Sequence, residues 1–450
     1  MTTFVRNYRN SFLDIETNNL RVLMDPWVNT ANEGSWAATK NGANYILNSI
    51  NKKNINYIYI SHLHTDHFDL NFLKKIINLQ KKKIKFLIKK FKDQRLKKKL
   101  ISYGIEAKVI IELKDYETYK LNKDSKFIIL PQLSSSNTEN NFVNYDLDTS
   151  CIFLNKDLRL FNQVDNPYSI RDLNQVLKKL KGKINLKFDL AFLPYCAASE
   201  YPQSFINIDR NKEKEKTMQK GIKKFLSLSN LLDCRNFVPA GGTYNLDGAF
   251  SKLNKYLAIP NQKKIENLFI KKFKSDKNLL NPSQNYFKIK KHKINFETNL
   301  SKKNFESIIN KRNMNAKYDN FILKFSKKNI KETIFNVENK ISDYIKNIYL
   351  KLNTIIEFRI YKKQPVRYRN IKKEKSYIKH SINFKKNNSK KKNNTNLTIH
   401  IYYKAFLGII NNKVSWNEIQ NHCLYERRPN KYEPDAIFWL NLYKFKRNFS

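Results

Sequence analysis

The stretch Ser61-His62-Leu63-His64-Thr65-Asp66-His67-Phe68-Asp69 decides how this 450-residue sequence reads. Three of the seven histidines fall within six residues, with a carboxylate between them. Ahead of it, Ile55-Asn56-Tyr57-Ile58-Tyr59-Ile60 is short, aromatic and β-branched, the composition of a buried strand. Behind it, Leu70, Phe72, Leu73, Ile76, Ile77 and Leu79 recur at helical spacing, and Asp69 stands where an N-cap belongs. The cluster is therefore expected in a tight strand-to-helix loop at the carboxyl end of a strand, where α/β folds build their sites.

Imidazole and carboxylate are donors suited to Zn²⁺ or Fe²⁺. His62 and His64, two residues apart, can reach one ion. Asp66 and His67 can reach a second ion about 3.5–4 Å away, the usual spacing of two-metal sites. A polar surface loop is the plainer alternative. Against it, four such groups crowded behind a buried strand repel one another or lose solvation unless something neutralises them.

H-x-H-x-D-H after a hydrophobic strand resembles the metallo-β-lactamase fold. Several other segments are similar, in order, to the metallo-β-lactamase part of the CMP-N-acetylneuraminate hydroxylases. They are Arg21-Val22-Leu23-Met24 closed by Asp25-Pro26-Trp27, Tyr57-Ile58-Tyr59-Ile60-Ser61-His62, Asp148-Thr149-Ser150-Cys151-Ile152, Phe161-Asn162-Gln163-Val164-Asp165-Asn166 and Pro239-Ala240-Gly241-Gly242. The likeness covers roughly residues 10–260. It implies an αββα metallo-β-lactamase-like sandwich of two mixed sheets flanked by helices, here followed by a C-terminal α+β extension. It also implies that Asp165 is a carboxylate shared by two cations, whereas the residues alone also allow Asp165-Asn166-Pro167 to be a simple turn. The expected ligand set is His62, His64, Asp66, His67 and Asp165, with Asp66 and Asp165 also catalytic. The first site usually has a third histidine, but none occurs between His67 and His292. The loop in its place offers Asn144, Asp146 and Asp148.

A net charge of +47 points to an anionic partner: a small anionic substrate, a membrane surface or nucleic acid. It also fits plain compositional drift, because lysine is abundant even in the expected core elements, whereas a functional basic face is concentrated. The four cysteines form no C-x-x-C pair, which excludes a zinc ribbon and argues against a disulfide framework. Cys151 and Cys234 lie in apolar runs as core thiols. The amino terminus lacks an apolar signal region, and no run of 18 apolar residues occurs, so no transmembrane segment is expected and cytoplasmic is the default location.

Residues 11–25 read as a hairpin turning at Asn18-Asn19. Trp27 and Trp36 in the next loop are cleft walls or ordinary packing aromatics. Lys81–Leu100 reads as a strand then a lysine-rich helix, Phe127–Pro131 as a strand, and Cys151–Leu154 with Leu158–Val164 as a hairpin delivering Asp165. Ser169–Leu180 and Lys212–Leu232 read as helices around a strand at Phe188–Leu193; Tyr195–Tyr201 after that strand can face the cleft. Phe237–Gly242 is a strand breaking at a glycine pair, either a turn or a close backbone approach to a ligand. Past Pro260 the texture becomes Lys/Asn-rich, so the expected division is a catalytic part, 1–260, and an extension, 261–450, with a basic linker at 385–396. Arg427 and Arg428 are either surface residues or a bidentate clamp for a carboxylate or phosphate.

Two chemistries follow. A metal-bound water has its pKa lowered toward ~7 and attacks a phosphate ester, lactone or amide. Alternatively two irons activate O₂. The named relatives draw electrons through a Rieske centre, which needs two Cys and two His. No C-x-H and C-x-x-H pair occurs here, so hydroxylation requires a separate reductase. The leading expectation is a metal-dependent hydrolase acting on an anionic sugar or nucleotide-sugar derivative. The alternatives are a di-iron oxygenase, a nuclease or phosphodiesterase with a basic groove, and a non-catalytic metal-binding protein.

Overall fold

The computed structural model describes residues 2–8, 10–37, 46–48, 50, 53–80, 83–92, 94–133, 148–196, 198–241, 244–281, 286–296, 325–332, 334, 355–383, 397–411, 413–414 and 416–427. Leu13–Glu16 and Arg21–Met24 pair antiparallel, and Thr17 N–H donates to the Leu20 carbonyl across the Asn18-Asn19 turn at 2.8 Å. They belong to an eight-stranded mixed sheet. In it Arg21–Met24, Tyr57–Tyr59, Lys85–Lys89 and Ile110–Leu113 run parallel. A second, seven-stranded mixed sheet contains Lys126–Pro131, Thr149–Leu154, Arg159–Asn162, Phe188–Pro194 and Cys234–Ala240.

Strand alternation decides which side chains meet. Val22, Met24, Tyr59 and Leu87 of the first sheet pack face to face with Phe127, Ile129, Cys151, Phe153 and Phe192 of the second. The intervening residues point outward: Leu23, Ile58 and Phe86 onto Phe72, Leu73 and Leu96 of two helices, Leu70–Leu79 and Arg95–Ser102. On the far side, Ile128, Ile152 and Phe237 meet the helices Ile170–Leu180, Arg210–Leu231 and Gln262–Phe273. The architecture is α/β: helix, sheet, sheet, helix.

Topology gathers the loops that matter at one edge. Asp25 follows Arg21–Met24 and Ser61 follows Tyr57–Tyr59, which are parallel neighbours. Thr149–Leu154 runs antiparallel to Arg159–Asn162, with Cys151 opposite Asn162. So the start of one strand (Asp148) and the end of the other (Asp165) lie at the same rim. Cys234–Ala240 brings Gly241 there as well.

The division expected at residue 260 cuts through this sandwich. Asn278–Leu279 adds a strand to the second sheet beside Cys234–Ala240, and the hairpin Tyr286–Lys290/Lys293–Phe296 adds two to the first beside Thr3–Asn7. The Lys-rich texture there is an edge hairpin in alternation: Phe287 and Ile289 are fully buried, while the lysines between and beyond them reach solvent. The expected linker 385–396 lies outside the described residues.

The extension is α+β, a four-stranded sheet in the order Tyr377–Asn383, Ile355–Tyr361, Leu397–Tyr402, Leu424–Arg427, with the helix Tyr403–Ile410 packed on Phe358 through Phe406. It is docked on the sandwich. Tyr425 stacks on Phe205 at 5.0 Å, and their segments exchange backbone bonds, Ile206 N–H to Tyr425 and Tyr425 N–H to Ser204. Leu424 and Tyr361 join one apolar cluster with Trp27 and Trp36.

His422 is fully buried in that junction and donates from Nε2 to the Asn32 carbonyl at 2.8 Å. Burial outweighs the carbonyl's opposing pull and takes its pKa down to about 4 from an ordinary 6.5. Between these values only the unfolded chain takes up the proton. Stability is therefore complete above pH 6.5 and is lost as pH falls toward 4, by about 3 kcal/mol. The melting temperature of the wild type should fall relative to that of His422→Gln as pH drops from 7 to 4; parallel curves would remove His422 from the junction's acid response.

Candidate metal centre

Asp69 caps the helix Leu70–Leu79 by accepting from Phe72 N–H, and its other oxygen accepts from Val28 and Asn29. One carboxylate thus starts the helix and ties the histidine loop to the Trp27 loop. Within the histidine loop, His62 Nε2 lies 2.8 Å from His64 Nδ1 and 3.8 Å from an Asp148 oxygen. His67 Nε2 lies 3.2 Å from Asp165 and 3.6 Å from Asp66. Two trios result, His62–His64–Asp148 and His62–His67–Asp165, each with one ligand atom per residue and all three atoms within 4.8 Å of one another.

All five residues expected as ligands therefore come together. His62, expected to serve one ion, stands in both trios. Of the three oxygen donors offered in place of the missing histidine, Asp148 is at the cluster; Asn144 and Asp146 lie outside the described residues. Asp165 does sit in a tight turn, and it also reaches His67. Val164 just before it has φ +55°, costly for a β-branched residue and of the order of 1–3 kcal/mol. That strained step aims the next side chain at the rim.

Asp25 is the residue that sequence reading left without a role. Its Oδ1 accepts from Ser61 N–H at 2.7 Å, and its Oδ2 from Ser61 Oγ–H at 2.6 Å and from His67 Nδ1–H at 3.0 Å. With its proton committed to Asp25, Ser61 Oγ accepts from His62 Nδ1–H at 2.9 Å. Both Nε2 lone pairs are thereby turned toward the cluster, the outer-shell arrangement that fixes the tautomer of ligating histidines. The available signal was positional: Asp25 ends a strand parallel to the one that ends at Ser61. Thr149 adds a cross-sheet tie, donating to the Ser61 carbonyl at 2.8 Å while accepting from Tyr59.

The electrostatics explain why such a cluster needs a cation. Burial drives the His62 imidazole well below its usual range. Burial also pushes Asp66 up to about 6, His67 opposing and Asp165 adding to the push. Asp148 rises to about 6 in the same way. Burial works against the charged form of Asp165 too, but neighbouring His67 overrides it and keeps that carboxyl low. Protons, on Asp66, Asp148 and His67, are thus what offsets the crowding of these carboxylates in the metal-free protein, and divalent cations replace them naturally. His62, His64, Asp66, His67, Asp148 and Asp165 fit such cations by donor type.

A cleft of about 240 Å³ opens beside Asp66, His67 and Asp165. Trp27 and Trp36 line it and are also packing aromatics, so both readings of these residues hold. Ala198 from the Tyr195–Tyr201 segment and Gly241 also line it; Gly241 has φ +78°, and a Cβ there would sit 3.5 Å from Asp165. Gly242 lies outside the described residues. Among the described residues, no lysine or arginine lines this cleft. Arg427 is not a clamp: its guanidinium lies over the Tyr201 ring at 4.4 Å, and Arg428 lies outside the described residues.

No family model matches the chain. A 64-residue stretch, 14% of this chain, is 36% identical to a Mycolicibacterium smegmatis protein provisionally named a Rieske 2Fe-2S iron-sulfur protein, of which it spans 12%. Among solved structures, the chain is similar to Igni18, a metallo hydrolase from Ignicoccus hospitalis (TM-score 0.41, 14% identity, 63% of this chain and 96% of that one). It is also similar to CmlA, a diiron β-hydroxylase from Streptomyces venezuelae (TM-score 0.42, 12% identity, 64% of this chain and 54% of that one). A third is YhfI, a metallo-β-lactamase fold protein from Bacillus subtilis (TM-score 0.39, 8% identity, 62% of this chain and 96% of that one). At such identities the activities of those proteins stay their own. Among the described residues, no helix is long and apolar enough to cross a membrane.

Proposed function

We propose that this protein is a metal-dependent hydrolase whose reaction centre is the rim cluster. One observation carries the reading: two donor trios share His62, and Asp25 orients His67 directly and His62 through Ser61. When bound there, divalent cations, zinc or iron, supply Lewis acidity and bring the pKa of a water toward ~7. His62, His64 and Asp148 would hold one, and His67, Asp66 and Asp165 the other. Asp66 and Asp165, which border the cleft, orient the attacking water and take its proton as its oxygen joins the substrate's electrophilic atom and the leaving group departs. The substrate read from the sequence, an anionic sugar or nucleotide-sugar derivative, is supported by the resemblance and by the positive surplus alone.

A second reading has its own observation. His62, His64 and Asp148 make a two-histidine, one-carboxylate set, the donor type of non-haem iron sites. In that reading the protein is an oxygenase that draws electrons from a separate reductase. A nuclease would want a basic cleft, and the described lining residues include no lysine or arginine.

Elemental analysis of the purified full chain, with a panel of esters, lactones, amides and nucleotide sugars, separates the two. About two zinc ions per chain with chelator-sensitive turnover is the expected result. Iron with an O₂-dependent absorption band would transfer the assignment to the oxygenase. Substoichiometric metal of every kind would end both.

A further inference from the structure

We propose that the cleft takes an uncharged carbonyl group, so that the substrates are amides, esters or lactones rather than phosphate esters, with the carbonyl oxygen held by the indole N–H groups of Trp27 and Trp36 and the Ser11 hydroxyl. That the bound group is a substrate rests on the hydrolase reading; that it binds does not.

Trp27 and Trp36 are 2% and 4% exposed and Ser11 is 8% exposed, and all three line the cleft. Trp27 Nε1, Trp36 Nε1 and Ser11 Oγ are buried without a hydrogen-bond partner among the described residues. An indole N–H can only donate, and a buried donor left unmade is costly, so two of them on one small cleft call for an acceptor. A carbonyl oxygen has two lone pairs and no charge, and so can accept from both.

The donors are held still. Trp36 stacks on Tyr244 at 4.0 Å, and Tyr244 Oη donates to the Ser199 carbonyl at 3.0 Å. Trp27 is two residues beyond Asp25, so the segment that orients His67 also carries the first donor.

Charge disfavours the main competitor at the cation-free cleft. Phosphate is normally gripped by lysine or arginine. Among the described residues the lining has neither, and it presents Asp66 and Asp165. The cleft is open to solvent on one side, so it can take one small group of a larger molecule. An anionic part elsewhere on that molecule is compatible with it.

The test follows the indole N–H resonances of full-length protein carrying ¹⁵N-labelled tryptophan. There are four tryptophans, and Trp416→Phe and Trp439→Phe proteins identify the other two by elimination. N-methylacetamide is expected to move the Trp27 and Trp36 signals downfield, saturably, and inorganic phosphate to leave them in place. Trp27→Phe and Trp36→Phe, which keep an aromatic ring, should each weaken amide binding about tenfold. Larger shifts with phosphate, or none with the amide, would overturn the assignment, and the wild-type spectra decide this even where a variant fails to fold. The experiment is repeated on His62→Ala/His64→Ala protein stripped of metal with a chelator. Retained amide shifts with no metal and no turnover in the wild type would sink the hydrolase and leave the carbonyl site standing; lost shifts in metal-loaded wild type would do the reverse.

Discussion

Replacing His62 by alanine is expected to cost the protein one of its two cations. His62 stands in both donor trios, but its ring has one lone pair to give, at Nε2, so its loss leaves His64 and Asp148 with two donors and the other cation on His67, Asp66 and Asp165. His64→Ala or Asp148→Ala removes a donor from one trio only, and Asp165→Ala from the other. The expected stoichiometries by elemental analysis are therefore about two in the wild type and about one in His62→Ala, in each of the other single variants and in His62→Ala/His64→Ala. Folding should survive. His62 is a buried imidazole kept neutral by its surroundings, not one half of a necessary ion pair. Full metal content in the double variant would mean that the cations, if any, sit elsewhere.

Asp25→Asn is the second large effect, and it touches no proposed ligand position. Two carboxylate oxygens accept three hydrogen bonds, from Ser61 N–H, Ser61 Oγ–H and His67 Nδ1–H. Asparagine has one acceptor oxygen, and its amide would point N–H groups at donors. At least one buried donor is stranded, at about 1–3 kcal/mol, and His67 is free to take the wrong tautomer. Metal affinity is expected to fall 10–100-fold, with a lower melting temperature. The backbone does not confound the result: Asp25 has φ +45°, and Asn tolerates that region as well as Asp does. Competition titration with a metal-binding dye measures the effect; wild-type affinity in Asp25→Asn would show that the carboxylate does not orient the histidines.

The histidine loop was legible because its evidence is local. A β-branched run, a ligand cluster and a helical period beginning at a capping Asp lie within 25 residues, and each constrains the next. The strands at Arg21–Met24, Lys126–Pro131 and Phe188–Pro194 were equally plain from their apolar runs. The end of the sandwich was not. The hairpin Tyr286–Phe296 is an edge with lysines on its exposed positions, and its composition matches the loops around it.

Residue types and spacings alone established that imidazoles and carboxylates converge behind a buried strand, because strand, loop and helix are set by interactions over a few residues. Which oxygen completes the histidine pair, and that Asp25 governs two rings at once, depended on strands 35 residues apart in sequence pairing side by side and on Asp148 and Asp165 of the other sheet being brought to the same rim. Pairing between distant strands follows from the packing of whole sheets, and no short window of sequence carries it.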